Sequence, residues 1–247
     1  MKEKTKAYMA GLMDAEGTFS ITSCIHNTLG HRLYDPTVAI HITDYPILKW
    51  VVSSFGGTIY KRKPTEGKLQ DWDWRTDSYE HSTRFIKSIL PYLVLKKDEA
   101  KNLLEFYSLY RQQVPRERHA LYIRSQVLKM RIRNDYTQDF LWKSNLINAY
   151  FAGWFDGEGT VGYQNDGHSV RLSLGNTAVG ILDVMKRRYD GSVLPMSGRP
   201  EHHTPMFQWQ SDTEETNEAT LLKLLPYLRI KREPAKLALL FIRKKKI

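Results

Sequence analysis

Residues 7–17 read Ala-Tyr-Met-Ala-Gly-Leu-Met-Asp-Ala-Glu-Gly, and residues 149–159 read Ala-Tyr-Phe-Ala-Gly-Trp-Phe-Asp-Gly-Glu-Gly. Matched by position, the copies share Ala-Tyr, Ala-Gly, Asp and Glu-Gly, and the positions between exchange one apolar or small residue for another. The first part of each copy predicts a helix with a small-residue face. Ala7 and Gly11, like Ala149 and Gly153, stand four apart and share one side, with Ala10 and Ala152 beside them. A glycine inside a helix costs about 0.5–1 kcal/mol relative to alanine, so using one twice calls for close packing. Each motif helix is therefore expected to pack against the other.

The acids stand at the unfavourable end of these helices. Asp14 and Glu16, and Asp156 and Glu158, precede Gly17 and Gly159, where helix gives way to turn or strand. Negative charge at a helix C-terminus opposes the macrodipole by roughly 0.3–1 kcal/mol. If the helices pack together, Glu16 and Glu158 meet, and two carboxylates about 6 Å apart at an effective dielectric of ~20 repel by roughly 3 kcal/mol. A hard divalent cation between them fits. Mg²⁺ takes one or two carboxylates and completes its shell with water and phosphate oxygens. The plain alternative is a pair of solvated turn acids.

The chain is long enough for one large domain or two smaller ones: 247 residues, 41% hydrophobic. Thirty-seven Lys and Arg against 27 Asp and Glu leave a formal charge of +10, which favours a polyanion such as nucleic acid, although charge alone also permits a membrane surface. No apolar run is long enough to span a bilayer, and the opening Met-Lys-Glu-Lys-Thr-Lys lacks a signal-peptide core, so a soluble protein is expected. The single cysteine, Cys24, excludes internal disulfides and a cysteine-based zinc site.

Further along, Thr18 to Cys24 alternates and pairs with a second alternating run in which Val38, Ile40 and Ile42 face in. A helix over Pro46 to Phe55 follows, then strands near Thr58 to Lys63 and Leu69 to Thr76, and a helix near Ser78 to Leu90. The half closes with residues 91–107, echoed at 226–241. Lys96 corresponds to Lys231, and Trp74 with Asp77 to Trp209 with Asp212, at the same offset of 135. Each half reads motif helix, two strands, helix, two strands, helix, helix. The domains expected are residues 1–114, a connecting helix and linker over 115–143, and a second repeat over 144–247. In the connector, Arg116 to Arg133 mixes cations with apolar residues, which suits a solvated amphipathic helix or phosphate contact.

Met9 to Gly17 and Phe151 to Gly159 resemble the two motifs of a single-chain LAGLIDADG homing endonuclease, and the resemblance extends over nearly the whole chain. It implies an α+β fold of two tandem pseudo-symmetric αββαββα repeats, with antiparallel sheets forming a DNA-binding saddle and motif helices packed at the centre. It also implies that Glu16 and Glu158, with Ala15 and Gly157 beside them, bind the catalytic metals. Glu stands where the motif often has Asp. Asp14 and Asp156 tie down the helix ends. Lys96 and Lys231 resemble the family's active-site basic residues, which poise water or stabilise the charged transition state. Each precedes a predicted helix, where a cation runs against the dipole. Asp44 fits the polar residue that the family often adds after the second strand, but its counterpart is Ala178, with Asn176 two positions earlier.

Strand phase gives the DNA-facing candidates: Ser20, Thr22, His26, Thr37, His41, Tyr60, Arg62, Asp73 and Arg75 in the first half, and Gln164, Arg171, Ser173, Gln208 and Gln210 in the second. Arg pairs bidentately with guanine and Gln with adenine in the major groove. An ordinary wet sheet face would look similar. Gly157, Gly159 and Gly162 also spell the dinucleotide fingerprint, but there the strand should come first and the helix after.

The function expected is a monomeric, metal-dependent, site-specific DNA endonuclease. By resemblance it uses two or three Mg²⁺, with Mn²⁺ substituting and Ca²⁺ binding without supporting cleavage. A long asymmetric target, 3′ overhangs and an intron- or intein-borne gene go with it. The alternatives are a maturase that binds intron RNA and a DNA-binding regulator that no longer cuts. Cytoplasmic expression, or synthesis within a mitochondrial or chloroplast matrix, fits this reading.

Overall fold

The computed structural model describes residues 1–25, 32–64, 66–109, 115–130, 143–164, 169–196, 204–211 and 213–245. His26, Arg131, Arg133, the linker at Asn134 to Asp139 and Asp212 lie outside them. The first repeat runs α1 (Glu3–Glu16), β1 (Gly17–Ile25), β2 (Arg32–Ile42), α2 (Tyr45–Phe55), β3 (Thr58–Lys61), β4 (Trp72–Arg75), α3 (Tyr79–Ile89) and α4 (Lys97–Ser108). After α5 (Pro115–Met130) the order returns: α6 (Ser144–Glu158), β5 (Gly159–Gln164), β6 (Ser169–Asn176), α7 (Val179–Tyr189), β7 (Ser192–Pro195), β8 (Phe207–Ser211), α8 (Glu214–Leu224) and α9 (Arg232–Lys244). This is the mixed α+β duplication that the sequence predicts, with two four-stranded antiparallel sheets in the orders β1-β2-β4-β3 and β5-β6-β8-β7.

Local sequence sets the element ends. Asp44 caps α2, its Oδ1 accepting from the Ile47 amide at 2.8 Å, with Pro46 in the first turn. Ser78 and Thr213 do the same for α3 and α8, accepting from His81 at 3.1 Å and Thr216 at 3.2 Å. On each sheet one face is apolar. Phe19, Ile21, Val38, Ile40 and Trp74 are buried in the first, and Val170, Leu172, Leu174 and Trp209 in the second. Each such side chain taken from water contributes about 1.5–3 kcal/mol. The two tryptophans match in detail: each indole N–H donates to a turn carbonyl, Trp74 to Gly56 at 2.8 Å and Trp209 to Asp190 at 2.7 Å.

The chain divides into two compact units, one made of Glu16–Arg131 with Met1, the other of Lys2–Ala15 with Ile132–Ile247. Nearly all of α1 therefore belongs with the second half. Within that unit α1 and α6 meet at their glycines. A Cβ on Gly11 would strike the Tyr150 carbonyl oxygen and lie 2.9 Å from the Trp154 nitrogen, and one on Gly153 would strike the Tyr8 carbonyl and lie 2.9 Å from the Leu12 nitrogen. Backbone meets backbone here, and only hydrogen fits between. Ala7, Ala10, Ala149 and Ala152 are fully buried beside this contact.

In the first unit α5 lies along β1, which is an edge strand. The Ile21 amide donates to Ser125 Oγ at 3.2 Å, and Gln126 Nε2 donates to the Ile21 carbonyl at 2.9 Å. Two side chains thus occupy backbone groups that an open edge would leave for another strand. Its described cations turn partly inward to the protein. Arg124 pairs with Glu105 at 3.1 Å, and Arg118 donates to the Leu109 carbonyl. Leu121 is buried against this packing, whereas Ile123 and Val127 are exposed, so the apolar positions of the run do not form one inward stripe.

Candidate nuclease site

Both motif helices end on a glutamate and pass directly into a strand, α1 at Glu16 into β1 and α6 at Glu158 into β5. Glu16 and Glu158 are half-buried, as are Ala15 and Gly157 before them. The preceding aspartates are buried, Asp14 at 2% and Asp156 at 1% exposure. Asp156 is held by four donors. Its Oδ2 accepts from the Tyr8 hydroxyl at 2.7 Å, the Arg229 amide at 2.7 Å and the Ile230 amide at 3.2 Å, and its Oδ1 from the Lys231 amide at 2.8 Å. Those three amides precede α9, so the carboxylate fixes the segment that presents Lys231. Tyr150 donates in turn to Asp14 Oδ2 at 2.8 Å. Each tyrosine of one motif therefore reaches the aspartate of the other.

The lysines answer the question of charge at the helix ends. Lys231 Nζ donates to the Asp156 carbonyl and, at 3.4 Å, to the Gly157 carbonyl at the end of α6. Lys96 Nζ donates to the Gly17 carbonyl at 2.7 Å, just past α1. Carbonyls at a helix C-terminus lack amide partners and carry the negative end of the dipole. An ammonium here satisfies them and offsets the adjacent glutamate. Lys96 and Lys231 occupy the N-cap positions of α4 and α9, where an ammonium, which only donates, cannot cap the helix amides; their ammonium groups go to these carbonyls.

Asn176 is a contact that sequence reasoning underweights. Its Nδ2 donates to Glu158 Oε2 at 2.7 Å, while its Oδ1 accepts from the Ala178 amide at 2.8 Å. Ala178 is the N-cap of α7 and has no side-chain oxygen to offer; Asn176 holds its backbone N–H just ahead of the helix. That second bond fixes which way the amide points. In the first repeat Asp44 caps α2 directly, and Ile42 stands at the end of β2 where Asn176 ends β6. Glu158 and Asn176 line a cleft of about 460 Å³ on the second sheet with Thr160, Ser173 and Gln208, closed on one side by Met196 and Met206.

Register settles which side chains share the outward faces. In the first sheet Ser20 pairs with Thr37, Thr22 with Asp35, and His41 with Asp73, which pairs again with Tyr60; Ala39 pairs with Arg75. Thr22, Tyr60, Arg62 and Arg75 are exposed, Thr37 and His41 half-buried, and Ser20 and Asp73 buried at 6% and 8% exposure. Burial leaves these last two beneath their neighbours, not at the surface. Asp73 accepts from Arg75 Nη2 at 3.1 Å, with His41 Nδ1 2.9 Å and Arg62 Nη1 3.7 Å from its Oδ1. Burial alone would raise the Asp73 pKa; hydrogen bonds from His41 and Arg75 and the charges of Arg62 and Arg75 outweigh it and hold the carboxyl below its ordinary value. In the second sheet Ser173 pairs with Gln210 and Gly175 with Gln208, and Arg171 sits one pair further along opposite Gly162. These residues are half-buried, and Gln164 ends β5 opposite Ser169. Gly157 lies in a helix and Gly159 and Gly162 in the strand after it, so the dinucleotide fingerprint has its order reversed.

Donor chemistry bears on the metal that the motif implies. Among the described residues no three of His, Cys, Asp and Glu gather as a ligand set. A soft or tetrahedral site therefore has no basis among them. What each repeat offers is one half-buried carboxylate at a helix end, flanked by backbone carbonyls and a lysine. Such a set of hard oxygens suits an ion that keeps most of its shell for water and phosphate. Also among the described residues, no helix is long and apolar enough to cross a membrane.

Comparison with known proteins agrees with this geometry. A sequence model described as LAGLIDADG endonuclease matches residues 9–110. No protein of curated function matches the chain. Among solved structures, I-SmaMI bound to an uncleaved DNA target in the presence of calcium ions superposes with a TM-score of 0.72 at 13% identity, over 97% of this chain and 92% of that one. The LAGLIDADG homing endonuclease I-GzeII in complex with its DNA target gives 0.69 at 16% identity, over 98% and 91%. The LAGLIDADG meganuclease I-CpaMI bound to uncleaved DNA gives 0.66 at 15% identity, over 97% and 92%. Residues 9–110 thus match the LAGLIDADG endonuclease model, and nearly the whole chain has the fold of these LAGLIDADG structures.

Proposed function

We propose that this chain is a site-specific DNA endonuclease that hydrolyses one phosphodiester bond in each strand of a long asymmetric target. The observation that carries the proposal is the repeated grouping at the helix ends: a glutamate passing into the sheet, a lysine on the adjoining carbonyls, and a polar sheet face leading away from both. Binding alone gives no use for a carboxylate beside phosphate, where it repels. The DNA complexes of I-SmaMI, I-GzeII and I-CpaMI support the choice of substrate, and the net charge of +10 suits it.

Glu16 and Glu158 would hold the divalent ions, Mg²⁺ by preference, with Ala15 and Gly157 next to them. Bound there, such an ion supplies Lewis acidity to the phosphate and a water acidified for attack. The protein's own part is orientation and charge. Lys96 and Lys231 each keep an ammonium beside the glutamate, where it favours the extra negative charge of the transition state and the departing 3′ oxygen. Asn176 holds one oxygen of Glu158 and leaves the direction of that carboxylate fixed. Asp14 and Asp156 act on the frame and do not touch the substrate. The protein works as a monomer, because one chain supplies both motifs, and the staggered cut leaves 3′ overhangs.

Cutting of a plasmid library of candidate targets, with Mg²⁺ and with EDTA, tests this. Wild type should make metal-dependent double-strand breaks, and Glu16→Gln or Glu158→Gln should abolish them or leave nicks. DNA that is bound yet never cut with any divalent metal would remove catalysis from the proposal.

A further inference from the structure

The outward face of the first sheet carries an ionic cluster that the second sheet does not repeat. Asp73 stands at its centre, with a side chain only 12% exposed, while His41, Arg62 and Arg75 above it are 44%, 52% and 51% exposed. At the same places of the register the second sheet has Gly175 for His41 and Gln208 for Asp73, with Gln210 for Arg75. A buried carboxylate beneath two exposed guanidiniums cannot reach a base edge past them. It can decide where they point.

His41 adds a constraint. Its Nδ1 lies 2.9 Å from Asp73 Oδ1 and 3.0 Å from Arg62 Nη1. An ionised carboxylate only accepts and a guanidinium only donates, so one nitrogen cannot serve both. With a proton on Nδ1, His41 bonds to Asp73; without it, His41 accepts from Arg62. Asp71 Oδ2, 3.6 Å from Nε2, faces the other side of the ring. In either arrangement Arg75 stays on Asp73, braced also over the Tyr60 ring at 5.9 Å.

Resting on the reading that this face meets DNA, we propose that Asp73 is a positioning residue for sequence recognition: it holds Arg75 and Arg62 across the sheet and offsets part of their charge, so that they engage base edges and not phosphates. Arg donors arranged in this way suit guanine O6 and N7 in the major groove. An arginine without such a brace is a mobile cation, drawn to any phosphate whatever the sequence.

The test uses the whole protein with Ca²⁺ and randomised duplex DNA, sequencing the bound pool for wild type and Asp73→Asn. Asparagine keeps the size and one acceptor and removes the charge. Expected is a loss of guanine preference at one or two positions in one half of the site, with the preferences of the other half unchanged. Binding of the unselected pool should tighten at low salt, and its log-affinity against log-salt slope should steepen by about 0.9 for each cation released to a phosphate. Unchanged preferences would overturn the proposal. So would loss of preference in both halves, which marks a structural role, or loss confined to one cytosine, which marks direct contact by Asp73. If wild type enriches no sequence at all, the DNA reading itself falls, and that result is distinct from any of these.

Discussion

Where the first repeat places His41, Asp73, Tyr60 and Arg75 across three neighbouring strands, the second places Gly175, Gln208, Leu194 and Gln210. The backbones match pair for pair and the chemistry does not. At the helix ends the reverse holds: Asp, Glu, Lys and the reciprocal tyrosines recur in both halves. On the proposed function, the duplication has kept what a phosphodiester needs and let go of what a base sequence needs. Phosphate is the same on either strand, whereas the two halves of an asymmetric target are not.

The sharpest way to break the equivalence of the motifs is at their shared contact. Gly11→Val and Gly153→Val each push a side chain into a facing carbonyl, and each should cost about 3 kcal/mol of stability, the upper end for overpacking. Thermal melts should show similar losses for the two. A large loss in one alone would mean that the helices do not bear on each other evenly.

A smaller effect separates the halves. Asn176→Ala should slow cutting of the strand served by Glu158 on the order of 10–100-fold, the usual effect of a residue that orients a ligand, and leave the other strand unaffected. Asn176→Asp keeps an acceptor for the Ala178 amide but sets a second carboxylate against Glu158. It should slow that strand at least as much and, because the two carboxylates repel, melt below wild type. Equal slowing of both strands would place Asn176 in the frame only.

The smallest concerns pH. Because Asp73 titrates below its unfolded value, its pairs stabilise the first repeat above that value, near pH 4, and the contribution is lost as pH falls through the lower, folded one. The melting-temperature difference between wild type and Asp73→Asn should shrink below about pH 4, whereas Gln208→Asn in the second repeat should show no such trend. A difference that persists in strong acid would assign it to packing.

Much of this could be read from the chain. The duplicated motif, small residues four apart and the acid pairs are local signals, and alternation with buried Trp74 and Trp209 gave both sheets and their faces. Asp44 stands out in the sequence by resemblance as a polar site residue, and its cap on α2 emerges only from the structure. What escaped depends on distant pairing. Nothing near Asn176 in sequence says that it meets Glu158, since 18 residues and a hairpin intervene. Ser125 and Gln126 look like ordinary helix polar residues until β1 is known to be an edge. Asp73 looks like one more outward polar side chain, and only register with His41 and the reach of Arg62 bury it. His26 and the linker at Asn134 to Asp139 lie outside the described residues, as does the side chain of Gln164.

The first motif helix is made well before the helix it packs against. Lys2–Ala15 packs with residues of the second half, its Tyr8 hydroxyl waiting on Asp156 and its Gly11 on the Tyr150 carbonyl. During synthesis the strands of the first repeat can pair while α1, with Met9, Leu12 and Met13, still lacks its cover. Burial of α1 therefore waits until α6 has been made. A product cut short after the first repeat would leave the apolar side chains of α1 without that cover.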